Sequence, residues 1–238
     1  MPQSPFPGRP WVLKMTWQDL CFLHWQVDPA LIAQTLPSGV EPHTRDGGAW
    51  LGAVPFRMTG TSPRFVPDVP GLSAFPELNL RTYVTVDGVP GVWFYSLDAA
   101  QPLAVRLARR FFHLPYFDAR MWVHREGDVT RYASLRAHRG QPPARFAAAY
   151  RPVGPALTPA PDSLDAWLTD RHALYSADAR GRVYRGRVDH AAWPLRRAQA
   201  EVAENTLADA LGITLEGEPH LLHAESLEVR AWWLERVR

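Results

Sequence analysis

Prolines and glycines cut this chain into short pieces, and that punctuation constrains the fold more than any other feature of the sequence. With 23 Pro and 16 Gly in 238 residues, few stretches can support a long helix, because Pro removes a backbone donor and Gly favours turns. The reading is therefore a mainly β protein. Strands are expected at 49–58, 78–86, 92–97, 119–124, 129–138, 145–150, 182–190 and 226–237, each a run of β-branched, aromatic or alternating residues between turn signals.

Three or four helices are expected between the strands. The first starts at Asp28-Pro29, where Asp caps and Pro suits the first turn, and ends before Pro37. The second spans 101–112, with Leu103, Leu107 and Phe111 on one face and Arg106, Arg109 and Arg110 elsewhere. The third spans 163–172, and the fourth spans 195–211, stopped by Gly212. Residues 154–161 read as a proline-rich loop.

Composition excludes several classes. Apolar residues make up 46% and charged residues 21%, as in an ordinary globular protein and unlike a disordered chain. The net charge of +2 comes from scattered arginines without a basic stripe, so no nucleic-acid partner is expected. Cys21 is the lone cysteine, which rules out an intramolecular disulfide and a four-cysteine metal site and fits a cytoplasmic setting. The first ten residues, with four prolines and no apolar core, read as a flexible arm ahead of a single domain at 11–238. No run of 18 apolar residues occurs, so no membrane partner is expected. Oligomeric state stays open, a homo-oligomer included.

The chemistry-bearing stretch is 77–86. Period two puts Glu77, Asn79, Arg81, Tyr83 and Thr85 on one face and Leu78, Leu80, Thr82, Val84 and Val86 on the other. The polar face of an outer strand would meet water. Alternatively, a carboxyl, an amide, a guanidinium and a phenol in register form a mutually satisfied wall for a small polar ligand. On that reading Arg81 is a two-toothed clamp for a carboxylate, and Glu77 is an acid or base. Ser96 and Asp98 share a face on the next strand, but Ser96 lacks the elbow motif of a serine nucleophile, and Asp98 is a candidate helix cap. His24 reads as a hydrogen-bonded core residue. His113 and His124 are acid-base candidates, whereas His190, His220 and His223 lack a metal-ligand pattern, so no metal or cofactor is expected.

Several blocks together resemble the YqjF-like family of uncharacterised bacterial proteins, related in fold to acetoacetate decarboxylase. They are Phe22-Leu-His-Trp25, Ala49-Trp-Leu-Gly-Ala-Val-Pro-Phe56, Glu77-Leu-Asn-Leu-Arg-Thr-Tyr83, Phe94-Tyr-Ser-Leu-Asp98 and Leu114-Pro-Tyr116, with the match continuing through Tyr184-Arg185-Gly186 and Pro219-His-Leu-Leu-His223. The resemblance implies an acetoacetate decarboxylase-like curved β-barrel with short helices outside and a small-molecule pocket within. It further implies that Arg106 matches the family's helix arginine and that Tyr116 lines the pocket. The decarboxylase's imine chemistry needs a desolvated lysine amine. The only lysine here is Lys14, near the chain start, and the 104–118 region has none; arginine stays protonated and cannot replace it.

The combined expectation is a barrel that binds a small organic acid or carbonyl compound. Glu77 and Arg81 are the candidate catalytic residues, and Asn79, Tyr83, Ser96, Arg106 and Tyr116 the candidate binding residues. Any catalysis would be lyase-like acid-base chemistry without a Schiff base. The alternative is a non-catalytic regulatory or structural scaffold.

Overall fold

The computed structural model describes residues 9–69 and 71–238; residues 1–8 of the expected arm lie outside the described residues. The elements run β1 (Leu13–Val27), α1 (Pro29–Thr35), β2 (Glu41–Pro42), β3 (Ala49–Pro63), β4 (Phe75–Val86), β5 (Val89–Ala99) and α2 (Pro102–Phe112). They continue with β6 (Tyr116–Glu126), β7 (Val129–Arg136), β8 (Arg145–Leu157), α3 (Leu164–Thr169), β9 (Ala173–Ala177), β10 (Val183–His190), β11 (Leu195–Asn205), β12 (His220–Ala231) and β13 (Glu235–Arg236). The mainly β expectation holds.

Strand pairing closes on itself. From β1 it passes through β3, β4, β5, β6, β7, β8, β11 and β12 and returns to β1. Two strands also branch. The start of β5 pairs with β9 at Val92 and Trp93 while its end pairs with β6, and β12 pairs with β11 at one end and with β10 at the other. A second circuit thus runs through β9 and β10. The result is ring-like, and β1, β3 and β4 are common to both rings.

A shared wall must be buried on both faces, and the sequence of β3 suits that position, since Ala49 to Phe56 is an unbroken apolar run, buried throughout. Its even residues Val54 and Phe56 join one core with Phe22, Leu97 and Leu227. Its odd residues Leu51 and Ala53 join the other with Leu23, Leu78, Leu80 and Phe146. β4 follows the same alternation but sets its polar residues against the first core. A bulge in β1 adjusts the alternation there, with Asp19 in the left-handed region at φ 52°.

The cap expected at Asp28 is present, whereas the 102–112 helix is capped by Gln101 and not by Asp98. Asp28, Gln101 and Ser163 each accept a hydrogen bond from a backbone N–H in the first turn of α1, α2 and α3. The expected fourth helix is a correction: 195–205 is strand β11 on β8, followed by a short 3-10 turn at Asp209–Leu211 that Gly212 stops at φ 68°. Ala, Gln and Glu favour helix in isolation, but Ala198, Ala200 and Val202 alternate, and pairing with β8 overrides the local preference. Pairing likewise carries β8 to Leu157, into the expected loop.

Candidate functional site

The first core is not filled. It surrounds a cavity of about 560 Å³ whose polar floor is the face of β4 carrying Glu77, Asn79 and Arg81. Most of the remaining surface is apolar, from residues such as Leu20, Phe56, Met58, Phe94 and Trp193. The mouth is bordered by α2, whose apolar stripe does not enter the core: Leu103, Leu107 and Phe111 are half-exposed, and only Val105 is buried.

At one end sits Glu77, 2% exposed. Tyr116 reaches it because β6 pairs in parallel with the end of β5, which sets Tyr116 beside Leu97, and Leu97 lies opposite Asn79. The Tyr116 hydroxyl donates to Glu77 Oε2 at 3.0 Å. From the opposite core, Tyr132 donates to the Glu77 carbonyl at 2.8 Å and fixes the backbone. Among the described residues no cation pairs with this carboxyl. Burial pushes it up to about 8 despite the Tyr116 bond, with the nearby Asp98 adding to the rise, so Glu77 holds a proton at neutral pH.

Further along β4 lies Arg81, 8% exposed. Its Nη2 donates to the Tyr83 hydroxyl at 3.1 Å and to the Leu168 carbonyl at 3.2 Å, and Tyr83 itself donates to that carbonyl at 2.7 Å. His24 Nε2 lies 2.7 Å from the same hydroxyl. Because the Tyr83 proton is committed to Leu168, His24 must donate from Nε2. Burial first, then the charges of Arg81 and His220, hold His24 neutral, as the core reading expects. Room for this stack depends on Gly52, where a Cβ would stand 2.7 Å from His24 Cδ2. Arg81 Nε and Asn79 Oδ1 are buried and make no hydrogen bond, an arrangement that costs stability unless it serves recognition.

Of the expected residues, Glu77, Asn79, Arg81 and Tyr116 line the cavity. Tyr83 stands behind Arg81 as its support. Ser96 is buried on the other side of β5, opposite Leu80. Period two groups Ser96 with Val92 and Phe94, which do line the cavity, but a bulge between Leu80 and Arg81 shifts the register and turns Ser96 away. Asp98 shares that outer side and caps nothing; it holds Arg136 through bonds of 2.8 and 3.2 Å. Arg106 is outside the cavity, on the exposed side of α2, paired with Asp118 at 2.8 Å. His113 ends α2 at φ 49° and packs on Tyr184, and His124 stacks on Trp122. Lys14 is exposed, on the opposite side of β1 from the cavity-lining Met15.

Sequence reasoning missed Arg171, which lines the cavity just past α3. It falls within the helix expected at 163–172, and no periodicity marks it.

Comparison with known proteins agrees with the architecture. Residues 14–228 match the DUF2071 family, described as an uncharacterized conserved protein. The chain is 45% identical over 231 residues to the uncharacterized protein YqjF of Bacillus subtilis (strain 168), covering 97% of this chain and 94% of that protein. An acetoacetate decarboxylase-like enzyme from Sphingomonas wittichii RW1 superposes with a TM-score of 0.69 at 13% identity, over 99% of this chain and 96% of that one. The enduracididine biosynthesis enzyme MppR complexed with pyruvate gives a TM-score of 0.67 at 14% identity, over 98% and 93% of the two chains. The acetoacetate decarboxylase of Legionella pneumophila gives 0.66 at 13% identity, over 99% and 93%. At such identities the structural similarities establish the fold, which is acetoacetate decarboxylase-like.

Proposed function

This chain belongs to the DUF2071 family, and from that premise and the cavity's geometry we propose that it binds an organic acid or carbonyl compound and carries out acid-base chemistry of a lyase-like kind. The carrying observation is the row Glu77, Asn79, Arg81 on one buried face: a protonated carboxyl, an amide with a free acceptor and a permanent cation. Arg81 is a fixed positive anchor because Tyr83 and Leu168 hold its Nη2 while the residue lines the cavity. Glu77, neutral at rest and bonded to Tyr116, delivers its proton to the bound ligand and is left as the carboxylate, in an environment that shields it from water. Tyr116 holds the carboxyl in place. The one lysine is exposed, away from the cavity, so among the described residues no lysine amine is placed for imine formation.

A pyruvate complex is described for MppR, a fold relative, and this supports an acid or carbonyl ligand as a class. The proposal includes a cytoplasmic setting, which the single, buried thiol of Cys21 suits. A thermal-shift screen of keto acids, hydroxy acids and aldehydes tests the binding part. A saturable rise in melting temperature that Arg81→Ala abolishes is expected. Turnover of any ligand found should fall sharply in Glu77→Gln, and turnover retained in the Arg81→Ala, Glu77→Gln double variant would refute the chemistry.

A further inference from the structure

Arg81 has a cationic neighbour. Arg171 packs on the same rings, its guanidinium carbon 5.1 Å from the Tyr83 centroid and 4.5 Å from that of Trp167, while that of Arg81 is 5.6 Å from Tyr83. Its Nη1 donates to His43 Nδ1 at 3.2 Å, but Nε and Nη2 are shut off from solvent and make no hydrogen bond. Burial, with the like charge of Arg81 adding, lowers it to about 10, so both residues remain cations.

Among the described residues no carboxylate forms an ion pair with either guanidinium, and Asp170 acts on Arg171 only at a distance. Glu77 is bonded to Tyr116, and the acid nearest in sequence, Asp170, is exposed and bonded to His172. Two guanidiniums in one cavity wall with no ion-pair partner cost stability, and their planar donors match an oxyacid headgroup.

The rest of the cavity sets the other half of the ligand. Its walls are apolar and continue to the half-exposed Leu103, Leu107 and Phe111 at the mouth. A cavity of about 560 Å³ is of the size that encloses a drug-sized molecule rather than a three-carbon acid. Residues 77 and 81 stand roughly 13 Å apart along an extended strand, and the Arg81 guanidinium turns further away, towards Tyr83. A short keto acid anchored on Arg81 therefore falls short of Glu77.

We propose that the ligand is an elongated amphipathic carboxylate, its headgroup held between Arg81 and Arg171 and its apolar chain running past Asn79 and Glu77 towards α2. This rests on the reading that the cavity binds an acid. Isothermal titration with the series butanoate, hexanoate, octanoate and decanoate, with pyruvate and with octanol, tests it in the wild-type chain and in Arg171→Met. Affinity should rise roughly fourfold per added methylene, octanoate should exceed pyruvate, and Arg171→Met should weaken octanoate at least tenfold while leaving octanol unchanged. If pyruvate binds and the longer acids bind no tighter, the elongated ligand is wrong and acid binding stands. If octanoate and octanol bind alike and neither responds to Arg171→Met, the paired-arginine site is wrong. If no acid binds, both readings fall. The chain-length series needs no variant, so a folding defect in Arg171→Met leaves the test intact.

Discussion

Two buried carboxyls lie on neighbouring strands with opposite solutions to the same problem. Asp98, on the outer side of β5, is matched by Arg136 through a two-pronged bond in which both side chains are nearly inaccessible. Burial raises its carboxyl, and Arg136 offsets part of that rise. Glu77, on the cavity side of β4, has only a phenol and no cation, and it rises to about 8. The first arrangement is structural, because removing either partner strands a charge. The second keeps a titratable proton where a ligand can reach it. A fold that can supply a buried arginine to one carboxyl and leaves the other without one is holding the second in its neutral form.

The largest expected effect breaks the structural side. Arg136→Met leaves the Asp98 charge uncompensated and should destabilise by about 3–5 kcal/mol, lowering the melting temperature by on the order of 10 °C. A loss of only a degree or two would mean that Asp98 is already neutral and the contrast is empty.

Glu77→Gln tests the other side, and its sign depends on pH. The folded-state value of about 8 lies above the ordinary value of 4.5, so the carboxyl's contribution is complete below pH 4.5 and is lost as pH rises through 8. Between those limits wild-type stability should fall by about 1.4 kcal/mol per pH unit on this account. A glutamine amide cannot ionise, so the variant should match the wild type near pH 4.5 and exceed it by a few kcal/mol at pH 8.5. Thermal melts across that range read the difference directly.

Smaller effects sharpen the comparison. Tyr116→Phe removes a donor that favours the carboxylate, so it should cost about 1 kcal/mol and move the Glu77 midpoint higher, seen as a shifted pH profile of the melting temperature. Arg106→Ala breaks an exposed pair with Asp118 and should leave the melting temperature nearly unchanged, with ligand-induced thermal shifts unchanged.

The polar face of β4 was legible because strand alternation alone groups Glu77, Asn79 and Arg81, and the order of the family-like blocks pointed to Tyr116. The partners of that face were less legible. Ser96 was misplaced because a bulge breaks the alternation that simple counting assumes. Arg106 was drawn in by resemblance, but the turn of α2 carries it away from Leu103 and Leu107 and onto Asp118. Arg171 had no local signal at all, since only the packing of α3 over Tyr83 brings it to Arg81. Strand β11 was hidden by residues with helical preferences whose pairing with β8 is remote in sequence.

The protonation of Glu77 decides whether the cavity holds a neutral acid. An infrared difference spectrum between wild type and Glu77→Gln, followed from pH 5 to pH 9, isolates this one carboxyl. A protonated carboxyl band that persists through neutral pH and gives way to carboxylate near pH 8 is the predicted result. A carboxylate already formed at pH 5 would contradict the neutral acid in the cavity, and with it the proposed chemistry.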